Sequence, residues 1–281
     1  MPASSFMGRW LQLRESSGID ISSYTPSLAL SILGVVLFIF ALIAHSYCLF
    51  RYRTWYFSII AVGTLMEVVG YILRLLSSVK DPYSVPFFVV QYFFIVVAPV
   101  FFSAAIYTIL TVMINRVGHQ YAPLPPKLIL WIFIVCDVVA TIVQIAGAAL
   151  VGSAYSNQKD PTIPNNILLA GLAFQVFSFA MFILCLIIFL WRSRKVTTSA
   201  LKTFSAAVFV ATIAVYLRTC FRLAETAEGL MENLSTHEVF FGCLEFLPIV
   251  VAVYIFVPWH PGRWLGTGGN GGKAFPTSLV T

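Results

Sequence analysis

The sequence predicts an all-α membrane protein: a bundle of seven transmembrane helices, with the N-terminus outside and the C-terminus in the cytoplasm. Three observations lead there. Of the 281 residues, 59% are hydrophobic and only 10% charged, whereas a soluble domain carries about 25% charged residues; mean hydropathy is +0.91. Seven apolar runs are long enough to cross a bilayer, which takes about 20 helical residues. Lys and Arg are unequally shared between the two sets of connections, and that asymmetry sets orientation.

Residues 1–25 read as an extracellular tail. They show no positive start followed by an apolar run, so no cleaved signal peptide is expected. The spans read 26–50, 54–78, 86–114, 127–151, 165–191, 200–224 and 238–258, all within one transmembrane domain covering 26–258. Polar or Pro-rich stretches separate them, as in KDPYSVP (80–86), NRVGHQYAPLPP (115–126) and SNQKDPTIPN (156–165). The tail from 259 to 281 contains GTGGNGG, a composition that gains little from packing and is expected to be disordered.

Orientation follows from counting basic residues. One side holds Arg51, Arg53, Arg116, Lys127, Arg192, Arg194, Lys195, Lys202, Arg263 and Lys273, ten in all; the other holds four, Arg9, Arg14, Lys80 and Lys159. The richer side is expected to be cytoplasmic. Asn233-Leu234-Ser235 then lies in the last outer connection and fits a glycosylation sequon at Asn233. Trp55, Trp131, Trp191 and Trp264 fall near the cytoplasmic ends, as interfacial aromatics do. The net charge of +6 is topological and does not point to nucleic acid. The five cysteines lie in or at the ends of apolar segments, so no loop-stapling disulfide is indicated.

Function is sought in the polar residues inside the spans. An ionised group at membrane depth costs roughly 2.5–3.5 kcal/mol on insertion scales, so it is rare unless paired or used. The stretch from 216 to 248 keeps Arg218, Arg222, Glu225, Glu238 and Glu245. A spacing of seven recurs in Glu67 and Arg74, Asp137 and Gln144, Arg218 and Glu225, and Glu238 and Glu245. Seven residues are nearly two turns, so each pair shares a helical face. Helix 5 adds Gln175. These stripes cannot face lipid and are expected to converge, either as an ion network that fixes helix register or as a polar pocket for substrate or protons. The pocket is the favoured reading. Pro99 and Pro248 should kink their helices and are hinge candidates, and Pro99 frees a carbonyl near position 95. Gly63, Gly70, Gly147, Gly152 and Gly171 suit close helix contacts.

These residues carry a resemblance. The chain resembles the fungal lipid-translocating exporter family, also described as the 7-aminocholesterol-resistance family, over roughly residues 30–265. Glu67, Gly70, Tyr71 and Arg74 resemble its E-x-x-G-Y-x-x-R; Ala98 and Pro99, with Tyr107 beyond, resemble its helix 3 pattern. Asp137, Gln144 and Gly147 match D-x-x-x-x-x-x-Q-x-x-G, and Gly171, Leu172 and Gln175 match G-L-x-x-Q. Arg218, Arg222, Glu225 and Gly229 match R-x-x-x-R-x-x-E-x-x-x-G, followed by His237-Glu238 and, at the close, His260-Pro261-Gly262-Arg263. The chain departs from the pattern at Glu245, where the family usually has Asp, and at Gly242, where it has Tyr. The resemblance implies release of sphingoid long-chain bases at the plasma membrane, resistance to toxic amphiphiles or, in one branch, porphyrin traffic.

The expected function is therefore an exporter of amphiphilic lipids through a polar intramembrane pocket, with membrane lipids or amphiphilic small molecules as partners and no cofactor. There is no P-loop, so ATP-driven pumping by this chain is not expected. A seven-helix receptor or stress sensor for such amphiphiles is the alternative. Retinal chemistry is excluded because helix 7 has no lysine for a Schiff base. No enzyme is expected. His45, His119, His237 and His260 are spread over separate helix ends and loops and read as interfacial rather than metal-ligating.

Overall fold

Length and apolarity alone account for the first six helices. In the computed structural model, which describes residues 28–80, 85–157, 159–228 and 240–265, α1 runs Leu28–Tyr52, α2 Ser58–Lys80 and α3 Val85–Val117. Next come α4 (Pro126–Ser156), α5 (Thr162–Ser193) and α6 (Ser199–Glu228). Each belongs to an apolar stretch of at least 22 residues, long enough to span a bilayer; that of α2 begins in the turn before it, at Trp55. The seventh, α7, is shorter and apolar, Phe241–Ile255, and a single turn, α8, follows at Pro261–Trp264. The protein is a helical membrane bundle.

Helix ends follow the punctuation of the sequence. Between α1 and α2, Arg53 takes a positive φ of 52° before the short 3-10 turn Trp55–Phe57. Gly118, at φ 132°, ends α3 in a conformation that side-chain-bearing residues rarely adopt. The spans expected from sequence agree with these helices to within a few residues. In α7 there is a difference, since its first part, Phe241–Phe246, is π-helical rather than α-helical. The reason is local: Pro248 supplies no amide for the turn before it, and the Leu247 amide reaches back to Gly242 instead.

Sequential helices pack side by side, and α3 also touches α6 and α7. Burial shows which helix is central: 56% of the spanning window of α3 is buried, against 28% for α1. The surface of α1 exposes Phe40, Ile43, Tyr47 and Phe50, an apolar face that only lipid would cover without cost. Tight contacts fix the helix pairs. A Cβ on Gly147 would stand 2.6 Å from the Leu168 backbone, and one on Gly171 3.0 Å from Gln144 Cγ, so α4 and α5 meet where neither glycine can be replaced without a shift. Gly63 and Gly70 likewise face Phe102 and Ile95 across the α2–α3 contact. Gly152, expected to make a contact of this kind, faces open space.

At the end of the bundle holding the C-termini of α1, α3 and α7, α8 is clasped in place. Arg116 donates to the Leu265 carbonyl, and Gly262 packs against Tyr52 and Thr54. Here the structure corrects the reading of the histidines as interfacial and separate. His45 and His260 are both 1% exposed and flank Phe57, at ring-centroid distances of 6.4 and 5.3 Å. They are held because each caps a backbone group: His45 Nε2 meets the Val253 carbonyl at 3.0 Å, and His260 Nδ1 accepts from the Gly262 amide at 3.2 Å. His119, in a 3-10 turn, is exposed as expected.

Candidate functional site: a buried ionic cluster beside a water-sized cavity

The cluster begins with a proline. Pro99 interrupts the backbone ladder of α3 and leaves the Ile95 carbonyl, one turn earlier, without its usual amide. Arg218, on α6, supplies the missing donor: its Nη2 reaches Ile95 O at 2.9 Å and Glu245 Oε1 on α7 at 3.1 Å. One guanidinium thus ties three helices together. Both side chains are nearly closed to solvent, at 6% and 2% exposure, so the pair stands or falls together.

One turn along α6, Arg222 Nη1 bridges two carboxylates, Glu225 Oε2 at 2.7 Å and Glu245 Oε2 at 3.3 Å. The spacings of four and three expected to align Arg218, Arg222 and Glu225 therefore do so, and Glu245 meets them from α7. The π-helical turn is what brings Glu245 there, since it lies within Phe241–Phe246. Two residues extend the cluster through α2. The Arg74 guanidinium lies 4.2 Å from the centroid of the Phe241 ring, a cation–π contact. Glu67, 2% exposed, feels the charges of Arg218 and Glu245, but no ion pair within 4.0 Å joins it to an arginine among the described residues.

On the other side of the arginines is a small cavity of about 10 Å³, room for about one water molecule. Its polar lining comes from α3 (Ser103), α4 (Gln144), α5 (Gln175) and α6 (Arg218, Thr219, Arg222), with Pro99 in its wall. Gln144 Nε2 donates to Gln175 Oε1 at 2.8 Å, joining α4 to α5.

The expected convergence of all the stripes is therefore incomplete. Asp137 stands apart from the arginines. It is 1% exposed; its Oδ2 accepts from the Tyr107 hydroxyl at 2.8 Å, and its Oδ1 has no hydrogen-bond partner among the described residues. The Tyr107 ring lies against Phe133, Phe179 and Phe182, at 5.7, 5.9 and 4.4 Å. Aromatic packing between α3, α4 and α5 fills the place where a cation would have to come, which pattern reasoning on polar residues alone does not register. Tyr107 as partner, Phe241 beneath Arg74 and the π turn were not singled out from sequence. A helix-breaking Pro248 three residues after a buried acid was the signal for the last. Glu238, Asn233 and His237 lie outside the described residues.

The fold and site define a multi-pass integral membrane protein with a compensated set of charges in its core. The chain belongs to the RTA1-like family: the family model described as "RTA1 like protein" matches residues 60–267. It is 31% identical to the sphingoid long-chain base transporter RSB1 of Saccharomyces cerevisiae strain Lalvin EC1118, over 91% of this chain and 78% of that protein. It is 25% identical to protein RTA1 of S. cerevisiae, covering 87% and 86% of the two chains, and 25% identical to protein RTM1, covering 69% and 64%. No solved structure matches the chain.

Proposed function

We propose that this chain moves amphiphilic lipids, sphingoid long-chain bases foremost, across the plasma membrane, and that the cluster of Arg218, Arg222, Glu225 and Glu245 takes the head group. One observation carries the reading: Arg222 is shared between two carboxylates, Glu225 at 2.7 Å and Glu245 at 3.3 Å. A merely structural pair needs one partner. A shared guanidinium can move wholly onto Glu245 and release Glu225 for an incoming ammonium without leaving any charge bare. Glu225 is the more accessible acid, 14% exposed against 2% for Glu245. A relative named as a sphingoid long-chain base transporter fits such a head, which has one ammonium, hydroxyls and a chain that stays in lipid.

In this reading Glu67 and Asp137 are the proton-pathway candidates. A bound ammonium adds one positive charge to a compensated cluster, and a proton leaving Glu67 beside it restores the balance. Pro99 and Pro248 are the hinges, because each breaks a helix beside the cluster and the cavity as it stands is too small for a lipid head. The N-terminus lies outside and the C-terminal residues 259–281 in the cytoplasm, and no catalytic step is assigned.

The test is transport by the purified protein in vesicles, with a fluorescent long-chain base, a fluorescent phospholipid and a porphyrin, with and without a proton gradient. Faster movement of the base than of the other two is the expected result, and a gradient of the right sign should raise it. Equal rates with protein-free vesicles would overturn the proposal.

A further inference from the structure

The small cavity beside the cluster differs from it in chemistry. Its charged lining is Arg218 and Arg222, and among the described residues no carboxylate lines it. Ser103, Gln144, Gln175 and Thr219 complete its polar wall. Arg218 is 5% exposed, and its Nε has no hydrogen-bond partner among the described residues. A buried guanidinium N–H without an acceptor is costly, and such groups in native proteins call for an explanation. The Gln144–Gln175 bond uses the Gln175 carbonyl and leaves the Gln175 NH₂ to donate elsewhere. The place is thus rich in donors, walled by two cations, and about 10 Å³ in volume.

We infer that this cavity is a subsite for a single neutral oxygen of the substrate, a hydroxyl next to the group held by the ion cluster. The inference rests on the proposed head-group role of that cluster. Three properties select the hydroxyl. The lining holds an ammonium poorly, because it offers N–H donors and, among the described residues, no carboxylate to accept from it. Space for about one water matches one hydroxyl oxygen and is too little for a phosphate. The two arginines are already matched by Glu225 and Glu245, so the subsite has no surplus positive charge for a dianion. The head group is then recognised in two parts: the nitrogen at the carboxylates of α6 and α7, the oxygen between Arg218 and the Gln144–Gln175 pair.

The experiment compares three chain-matched fluorescent probes in the same vesicles: a hydroxylated long-chain amine, the amine without hydroxyls, and the phosphorylated hydroxylated amine. The quantity read is the ratio of initial rates of the first two, which a loss of folded protein leaves unchanged. A ratio of about ten is expected for the wild type, the factor carried by about one hydrogen bond to a charged or otherwise unpaired donor. Gln175→Met and Gln144→Met should each bring it towards one by slowing only the hydroxylated probe. A wild-type ratio of one, or a ratio untouched in both variants, would overturn the subsite while leaving transport of amines intact. A phosphorylated probe that moves fastest would show an oxyanion site and overturn the hydroxyl assignment. If the wild type moves no probe above protein-free vesicles, the transport reading itself fails, and the subsite with it.

Discussion

At the scale of single residues, the decisive feature is that one guanidinium serves two carboxylates. Arg222 and Glu225 pair at 2.7 Å with side chains 11% and 14% exposed. Losing Arg222 takes from Glu225 the guanidinium it pairs with, a cost of about 3–5 kcal/mol for a fully buried pair and less at this exposure, whereas losing Glu225 leaves Arg222 paired with Glu245 at 3.3 Å. Arg222→Met should therefore lower folded yield more than Glu225→Met or the double change, and equal yields from Arg222→Met and the double variant would count against the pairing. Glu245 is a sharper case because both of its oxygens are taken, at 3.1 and 3.3 Å. Glu245→Gln keeps the shape but leaves two guanidiniums with less compensation. It should reduce handling of an amine probe by roughly tenfold to a hundredfold, the value of a charge-assisted hydrogen bond, while sparing a neutral probe of the same length. Uptake or release in cells, normalised for surface level, measures it. If both probes fall together, Glu245 acts only as a strut.

At the scale of elements, two prolines shape the site. Sequence showed that Pro99 would free a carbonyl near position 95; it could not show who would claim it, because the claimant, Arg218, is 123 residues away. Pro99→Ala would return an amide to the ladder of α3. The helix should then be at least as stable, with an unchanged or higher thermal midpoint, since an interior proline costs a helix about 3 kcal/mol. Transport should fall, because Arg218 must share Ile95 O with a backbone donor and its hold on Glu245 shifts. Transport at the wild-type rate would show that the break in α3 is incidental. The clasp at α8 offers a pH measurement. Burial, with His45 close by, pushes the His260 imidazole down to about 4. A histidine in an unfolded chain titrates near 6.5. Below that value the released segment gains a proton that the docked one refuses. Docking should be at full strength above pH 6.5 and weaken as pH falls towards 4. Trp264, whose Nε1 donates to Pro258 O at 3.1 Å, reports it by fluorescence, and His260→Asn should flatten the profile.

At the scale of the whole molecule, the span count was legible because lipid imposes a length and an apolarity that composition cannot hide. The seven-residue polar spacings were legible as faces, and α6 bears that out in the geometry of Arg218, Arg222 and Glu225, which Glu245 meets from α7. What spacing could not say was which faces meet. A face shared by Asp137 and Gln144 says nothing of the helix opposite, and Tyr107 with its phenylalanine neighbours keeps Asp137 from the arginines. The same long-range packing sets how the bundle ends are sorted. The C-termini of α1 and α3 meet α8 at one end, through Tyr52, Thr54 and Arg116. That end gathers Arg51, Arg53, Arg116 and Arg263, part of the ten basic residues set against four on the other side. Basic residues are retained on the cytoplasmic side, so this end should be cytoplasmic. A tag placed after Thr281 should be shielded from protease in intact cells and cut only after permeabilisation, whereas a tag before Met1 should be cut in both. Cleavage of the C-terminal tag in intact cells would invert the bundle. The cluster would then lie nearer the cytoplasmic leaflet.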